Sequence, residues 1–365
     1  MKNWKNLFLK ILKNGGLFLI LIVFTFYFVF KDMDIKTVVS TISNVNVFYL
    51  LIAVVSMCVF LLCEAVNFRR NLSVLGYKTS LLKCINYSIN GFFFSSITPS
   101  ASGGQPMQVY KMYKDDIKLS HSTLVLFVEF IFFQTVTIMY GVIGFMSQRF
   151  MLAGKINSLM VLFIVGIVCN SCMLLLIISA LFYSDALKGV LNLLIRFLNF
   201  CKFKKADMIK EKVESVIDEY KDCSVYIIKN KGIVLKTFLV KCVQIFTLHS
   251  IPYWIYCSFG FSQYSIFTFV GVQAVLFISV SALPLPGSVG ASESGFLILF
   301  KLLFPMSVLN EAMLLSRGIS CYLFVFLCGM FILVKWVVDS KARREERIKA
   351  VKEGKVYKQK TIQEI

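Results

Sequence analysis

The feature that most constrains this chain is a succession of apolar runs, several of which reach or approach the roughly 20 residues that an α-helix needs to cross a bilayer. The runs show no strict two-residue alternation, which argues against an outer-membrane barrel. Only 16% of the 365 residues are charged, whereas soluble domains carry about 25%. The sequence therefore predicts an all-α polytopic membrane protein.

Six of the runs are predicted to be full spans. They are residues 15–31, 47–64, 122–147, 158–183, 233–260 and 310–336. The first run follows a basic start but ends without a small-residue cleavage site, so it is interpreted as an uncleaved span. Two further apolar stretches, 82–112 and 264–304, are each interrupted by prolines and glycines.

The location of the positive charge predicts the topology. The formal net charge is +19, and basic residues crowd the N-terminus, the segment 185–231 and the tail after Lys335. The positive-inside rule places all three in the cytoplasm. These charges either set topology alone or also contact anionic lipid headgroups. Acidic residues are interleaved within 185–231, as in a solvated amphipathic helix, which argues against nucleic-acid binding.

Counting sides from a cytoplasmic N-terminus predicts how the two interrupted stretches enter the membrane. Residues 82–112 enter and leave on the cytoplasmic side, whereas 264–304 begin and end outside. Two re-entrant hairpins dipping from opposite faces are typical of an inverted repeat. The alternative is that both stretches cross fully. The predicted divisions are a first membrane half (1–184), a basic amphipathic linker (185–231), a second membrane half (232–338) and a basic cytoplasmic tail (339–365).

Each interruption combines helix-stopping prolines with permissive glycines. "SSITPSASGGQPMQ" contributes Pro99, Gly103, Gly104 and Pro106, and "SALPLPGSVGASES" contributes Pro284, Pro286, Gly287 and Gly290. Lipid cannot satisfy the freed backbone groups, so both breaks should face protein or water. The second half-helices are predicted to start near Pro106 and Ser292, and their N-termini would suit phosphate or carboxylate. A structural kink is the alternative.

Three ionisable side chains are predicted to lie inside the membrane, namely Glu129, Glu293 and Arg317. Each is costly there, by at least about 2.5 kcal/mol, and should face the interior with a partner. We expect Arg317 to pair with Glu293 or Glu129, and all three to share one cavity with the first break and to bind a headgroup. A purely structural salt bridge is the alternative. Glu64 and Lys241 are expected to snorkel to the interface.

Metal or cofactor chemistry has little support in the sequence. Most of the 11 cysteines lie inside apolar runs, where they behave as small hydrophobes. Cys169 and Cys172 form a lone C-x-x-C pair, and His121 and His249 are the only histidines. There is no G-x-x-x-x-G-K-[ST] loop for ATP. The sequence predicts no catalytic residue, no metal and no cofactor.

Several motifs together resemble one membrane family. They are "SSITPSASGGQP" before a tyrosine-rich helix, "LVLFVEF", "LPLPGSVGASESGF" and "LLSRGIS". The chain resembles the lysylphosphatidylglycerol synthase transmembrane family, similar to the N-terminal membrane half of the multiple peptide resistance factor, over roughly residues 10–335. Family members often show two glycines after the second proline, where this chain has Gly287 and Ser288.

The resemblance implies a flippase-like protein that moves an aminoacylated phospholipid, such as lysyl-phosphatidylglycerol, across the bacterial cytoplasmic membrane, with both termini cytoplasmic. The alternatives are a phosphatidylglycerol lysyltransferase using lysyl-tRNA, or the membrane partner of such a synthase, in cationic-peptide resistance. A membrane-embedded scaffold is a third. The linker is too short for a transferase site, which favours the transporter. Expected partners are phospholipid and anionic lipids; a synthase partner and a homo-oligomer stay open.

Overall fold

The computed structural model describes residues 45–98, 101–148, 157–182, 230–281 and 290–352, together with residues 283 and 288. These residues form helices joined by short turns. The helices are α1 (Val47–Val74), α2 (Leu81–Ile97), α3 (Gly104–Lys114), α4 (Leu119–Ser147), α5 (Asn157–Phe182), α6 (Lys231–His249), α7 (Ile251–Ser258), α8 (Ile266–Ser281), α9 (Ala291–Phe300), α10 (Leu309–Arg317) and α11 (Phe324–Lys352). The all-helical fold class is confirmed.

Among the described residues, five helical stretches are long and apolar enough to cross a membrane. They are Val47–Val74, Leu119–Ser147, Met160–Ser179, Lys231–Ser258 and Leu309–Asp339. These correspond to the second to sixth predicted spans. The predicted first span, 15–31, and nearly all of the linker lie outside the described residues.

Helix α1 runs ten residues past the predicted end of its span, to Val74. The sequence prediction stopped where the apolar run meets Glu64. The helix continues because the polar residues that follow, Asn67 and Asn71, are buried against other helices instead of facing solvent. Buried polar groups with hydrogen-bond partners are compatible with a helix in the membrane interior.

The first predicted break is present between α2 and α3. Helix α2 ends at Ile97 and α3 begins at Gly104, two residues before the predicted start at Pro106. Pro106 is tolerated inside the first turn, because the N–H groups there have no partner within the helix in any case. The two helices pack so closely that a Cβ at Gly104 would overlap the Ser95 hydroxyl.

The second break lies between α8 and α9. Helix α8 ends at Ser281, and α9 begins at Ala291, next to the predicted start at Ser292. Between them Ser288 and Gly290 both have a positive φ, 52° and 82°. These left-handed conformations reverse the chain direction and end any continuous helix.

Most residues of helix α8 are buried, and the helix packs between α4 and α5. Glycines make this possible, since the backbones of α4 and α8 meet at Gly144 and Gly271. A Cβ on Gly144 would lie 2.7 Å from the Gly271 Cα. Small residues at a helix crossing allow this approach in membrane proteins. Residues Gly141 and Gly166 give α8 the same room at Ile278.

Candidate functional site

A carboxylate at the second break holds an arginine. Glu293 lies in the first turn of α9, and its Oε2 accepts a 2.6 Å hydrogen bond from the Gly290 backbone N–H. Its Oε1 accepts hydrogen bonds from Arg317 Nε and from the Tyr322 hydroxyl, each at 2.8 Å. The predicted pairing of Arg317 with Glu293 is confirmed. The carboxylate therefore caps α9 and fixes the guanidinium at the same time.

Arg317 is positioned by an irregular stretch of helix. It is the last residue of α10, and a π-helical turn, Gly318–Leu323, follows it directly. This turn also carries Tyr322, whose ring lies 5.8 Å from the Arg317 guanidinium. Short π-helical segments inside α-helices occur frequently at functional sites. Sequence reasoning missed Tyr322, because a π turn carries no simple sequence pattern.

This charged group is not sealed. The side chains of Arg317 and Glu293 keep 16% and 17% of their surface exposed. Gly290 and Ser294, on either side of the carboxylate, are exposed as well. The pair is therefore only partly buried, and it belongs to a short apolar helix that follows the break.

The first break exposes a helix N-terminus. No side chain caps α3, whose N-cap is Gly103. The turn before it is held by the Gly103 N–H, which donates to Thr98 Oγ1 at 2.9 Å, and Ala101 has a φ of 55°. Residues Gln105 and Pro106 of the first turn are exposed. Free N–H groups and the helix dipole make such an end suitable for an anion.

Glu129 forms a separate ion pair, not with Arg317 but with Lys241. Lys241 Nζ lies 2.6 Å from Glu129 Oε2, and only 3% and 6% of the two side chains is exposed. Asn71 Nδ2 donates to the other Glu129 oxygen at 2.9 Å. The prediction that Lys241 snorkels to the interface is wrong. Lys241 faces inward because a buried carboxylate compensates its charge.

The interfacial position of Glu64 stays a prediction, since its side chain is only partly buried. Its Oε1 accepts a 3.0 Å hydrogen bond from Gln108 Nε2, and Glu64 lies within electrostatic range of Lys241 and Glu129. Gln108 belongs to α3 and packs against Gly91 of α2, where a Cβ would displace the amide. The α2–α3 pair is thus connected to the charged side chains of α1, α4 and α6.

Four of the predicted site residues lie outside the described residues, namely Pro99, Pro284, Pro286 and Gly287. Within the described part of the chain, no group of three or more His, Cys, Asp or Glu side chains could hold a metal ion. Cys169 and Cys172 are exposed free thiols there.

Long apolar helices, two helix breaks and inward-facing charges define this chain as a polytopic membrane protein with a polar interior. It belongs to the family described as the lysylphosphatidylglycerol synthase TM region, whose model matches residues 15–329. It is 22% identical to a UPF0104 membrane protein of Archaeoglobus fulgidus over 306 residues, which are 82% of this chain and 90% of that protein. It is 26% identical to a UPF0104 membrane protein of Pyrococcus horikoshii over 310 residues, with the same shares covered.

Proposed function

We propose that this protein translocates a phospholipid across the membrane in a flippase-like manner, with an aminoacylated lipid such as lysyl-phosphatidylglycerol as the substrate. The observation that carries the proposal is the partly exposed Glu293–Arg317 pair at the second helix break. An ion pair at membrane depth that is left accessible, not sealed, is typical of a substrate pathway.

The chemistry at the two breaks complements a lipid headgroup. The uncapped N-terminus of α3 and the Arg317 guanidinium suit a phosphate. The Glu293 carboxylate suits an ammonium group, such as that of a lysyl ester. We propose that Glu293, Arg317 and the first turn of α3 contact the headgroup, and that Pro99, Pro284, Pro286 and Gly287 shape the breaks. Glu129 would support this site without contacting the headgroup, since it is buried in an ion pair with Lys241.

An inverted repeat would give such a site access from both faces in turn. Helix packing supports this arrangement. The helix that follows the broken pair α2–α3, namely α4, packs on α8 of the broken pair α8–α9, and α11, which follows that second pair, packs on α2 of the first. The helices that precede the two pairs, α1 and α6–α7, pack on each other. These contacts are retained when the halves are exchanged, whereas α5, which also packs on α8, has no counterpart among the described helices of the second half.

We further propose that both termini lie in the cytoplasm and that the membrane is the bacterial cytoplasmic membrane. Partners would be the transported phospholipid and anionic lipids around the basic segments. A separate synthase would then supply the aminoacylated lipid. These proposals rest on the charge distribution along the sequence and on the family.

The test replaces one carboxylate. The purified chain is reconstituted in vesicles that contain fluorescently labelled phosphatidylglycerol or lysyl-phosphatidylglycerol, and a membrane-impermeant quencher reports the fraction in the outer leaflet. Glu293→Gln preserves shape but removes the charge that holds Arg317. We expect it to abolish movement of the labelled lipid while expression and thermal stability stay near those of the unmodified protein.

Glu311→Gln is the matched control, because Glu311 lies on α10 less than two turns before Arg317. It should move lipid normally. A stable Glu293→Gln protein with normal lipid movement would exclude a headgroup role for Glu293. If the pair is only structural, Glu293→Gln leaves a buried guanidinium uncompensated and lowers stability by several kcal/mol. Neutralising Arg317 as well would then restore stability.

A further inference from the structure

Helix α6 has its polarity reversed relative to a helix of a soluble protein. Its buried residues are Thr237, Lys241, Gln244, Ile245 and His249. Its exposed face carries Leu235, Leu239 and Val243. In a membrane the apolar face meets lipid, and the polar side chains meet the interior of the bundle. Buried polar residues thus follow one another from Thr237 to His249 in a helix that is long enough to cross a bilayer when joined to α7.

We propose that this polar face of α6, with the facing residues of α1 and α4, conducts protons, and that the Glu64 carboxylate is its proton-binding group. Proton movement along it would drive the lipid translocation proposed above, and this last step rests on that function.

The charge count identifies Glu64 as the proton-binding group. Two carboxylates, Glu64 and Glu129, lie within electrostatic range of each other and of one ammonium, Lys241. Both oxygens of Glu129 already meet donors, one from Asn71 and one from Lys241. One ammonium compensates one carboxylate, so ionisation of the partly buried Glu64 beside the ionised Glu129 leaves an excess negative charge that protonation of Glu64 removes. Glu64 therefore binds a proton in one state of the cycle and releases it in another.

The surrounding groups favour a proton over a metal cation. Glu64 receives the Gln108 amide N–H of α3, and the charged groups that face it are Glu129 of α4 and Lys241 of α6. The Ser88 hydroxyl of α2 is a further hydrogen-bonding group beside the Glu64 carboxylate. A cation such as Na⁺ needs several acceptor oxygens, whereas here the Lys241 ammonium already lies 2.6 Å from Glu129 Oε2. The described residues offer no cluster of metal ligands.

Unpartnered polar groups continue from this point towards the other end of α6. Thr137 Oγ1, Gln244 Oε1 and both ring nitrogens of His249 are buried without a hydrogen-bond partner. These three side chains are only 1%, 2% and 1% exposed. Buried polar groups are almost always hydrogen-bonded, and ordered water is the usual partner where protein supplies none. A row of such groups marks where bound water would carry a proton.

The row is continuous with the charged pair. Gln244 lies one turn after Lys241 on α6, and Thr137 lies one turn before Tyr140 on α4. The Tyr140 hydroxyl donates to the Cys242 carbonyl at 3.3 Å, and its ring centroid is 6.3 Å from that of His249. The other described ring against His249 is the apolar Phe277 of α8. Tyr140 is thus the titratable side chain that faces His249.

The test uses the full chain in vesicles that enclose a pH-sensitive dye, with labelled phosphatidylglycerol in the membrane. We expect an imposed pH gradient to accelerate lipid movement and a Na⁺ gradient at constant pH to leave it unchanged. Glu64→Gln can still accept the Gln108 hydrogen bond but cannot exchange a proton. It should lose the acceleration by the pH gradient and the accompanying proton flux, whereas Glu311→Gln should keep both. His249→Phe should reduce the proton flux by interrupting the row.

A direct measurement separates this proposal from the function itself. Infrared difference spectra between low and high pH should show a protonated carboxyl band that disappears in Glu64→Gln. Lipid movement that ignores pH, with no such band, would overturn proton binding and leave the flippase proposal standing. The band without any lipid movement would support the proton site and overturn the lipid function. Acceleration by the Na⁺ gradient would overturn the choice of proton.

Discussion

Ser288 adopts a left-handed backbone conformation at the second break, with a φ of 52°, just before Gly290 at 82°. A residue with a Cβ is strained there by roughly 1–2 kcal/mol, which glycine avoids. The strain is thus local to the loop that leads into Glu293, where strain is often retained for function.

Ser288→Gly should therefore raise the stability of the purified protein by about 1 kcal/mol, because it relieves the left-handed conformation. The measurement is the midpoint of thermal unfolding in detergent. Ser294→Gly is the matched control: Ser294 lies inside α9, where glycine costs about 0.5–1 kcal/mol, and the midpoint should fall. A fall for both variants would show that Ser288 is not strained.

Among single residues, the sequence predicted the partner of Arg317 but not that of Lys241. Arg317 and Glu293 could be matched because Glu293 stands beside a recognisable interruption and Arg317 lies in a clearly apolar span. Lys241 and Glu129 belong to different halves of the chain, and their contact depends on α6 packing against α4. No pattern within either helix specifies that neighbour, so the lysine was assigned to the interface. The available signal was the spacing of Thr237, Lys241 and Gln244 on one face of α6.

At the scale of whole helices, both breaks could be located from proline and glycine, because these residues act through the backbone itself. Helix ends were harder to predict. The start of α3 and the end of α1 both differ from the prediction, since tertiary contacts bury Asn67, Asn71 and Gln108 and allow polar residues to remain helical. The close crossing of α4 and α8 was not predicted either, because a glycine in an apolar run does not specify which helix it will contact.

This crossing gives a test at the level of the helix. Gly144→Ala places a Cβ 2.5 Å from the Gly271 carbonyl oxygen, a backbone atom that cannot rotate away. We expect α4 and α8 to separate and the folded yield to fall. The free energy of unfolding should drop by about 1–3 kcal/mol, which lowers the midpoint of thermal unfolding. Gly232→Ala on α6, where nothing lies within 4 Å of the added Cβ, is the control and should be neutral or slightly stabilising. Equal effects of the two changes would refute the crossing.

For the whole molecule, the packing of the two halves and the distribution of charge lead to one arrangement. The first helix of each broken pair packs on the helix that follows the other pair, so a shift of one pair would move the flank of the other. The sealed Glu129–Lys241 pair joins α4 to α6 and thereby the two halves of the chain. In an inverted repeat, this coupling would allow the headgroup site at the second break and the buried charges behind the first to alternate in their access to water.

The inverted repeat requires the two breaks to open on opposite faces. In a background without the 11 native cysteines, Ser102→Cys should react with an impermeant thiol reagent from the cytoplasmic side and Ser294→Cys from the outside. Both residues are exposed and adjoin their breaks. Lys78→Cys, in the turn between α1 and α2, is the cytoplasmic reference, and Met306→Cys, 75% exposed after the second hairpin, is the outside reference. If Ser102→Cys and Ser294→Cys both react from the same face while the references behave as expected, the hairpins enter from one side. A single set of fixed charges could not then be reached alternately through them, and the headgroup would need another route.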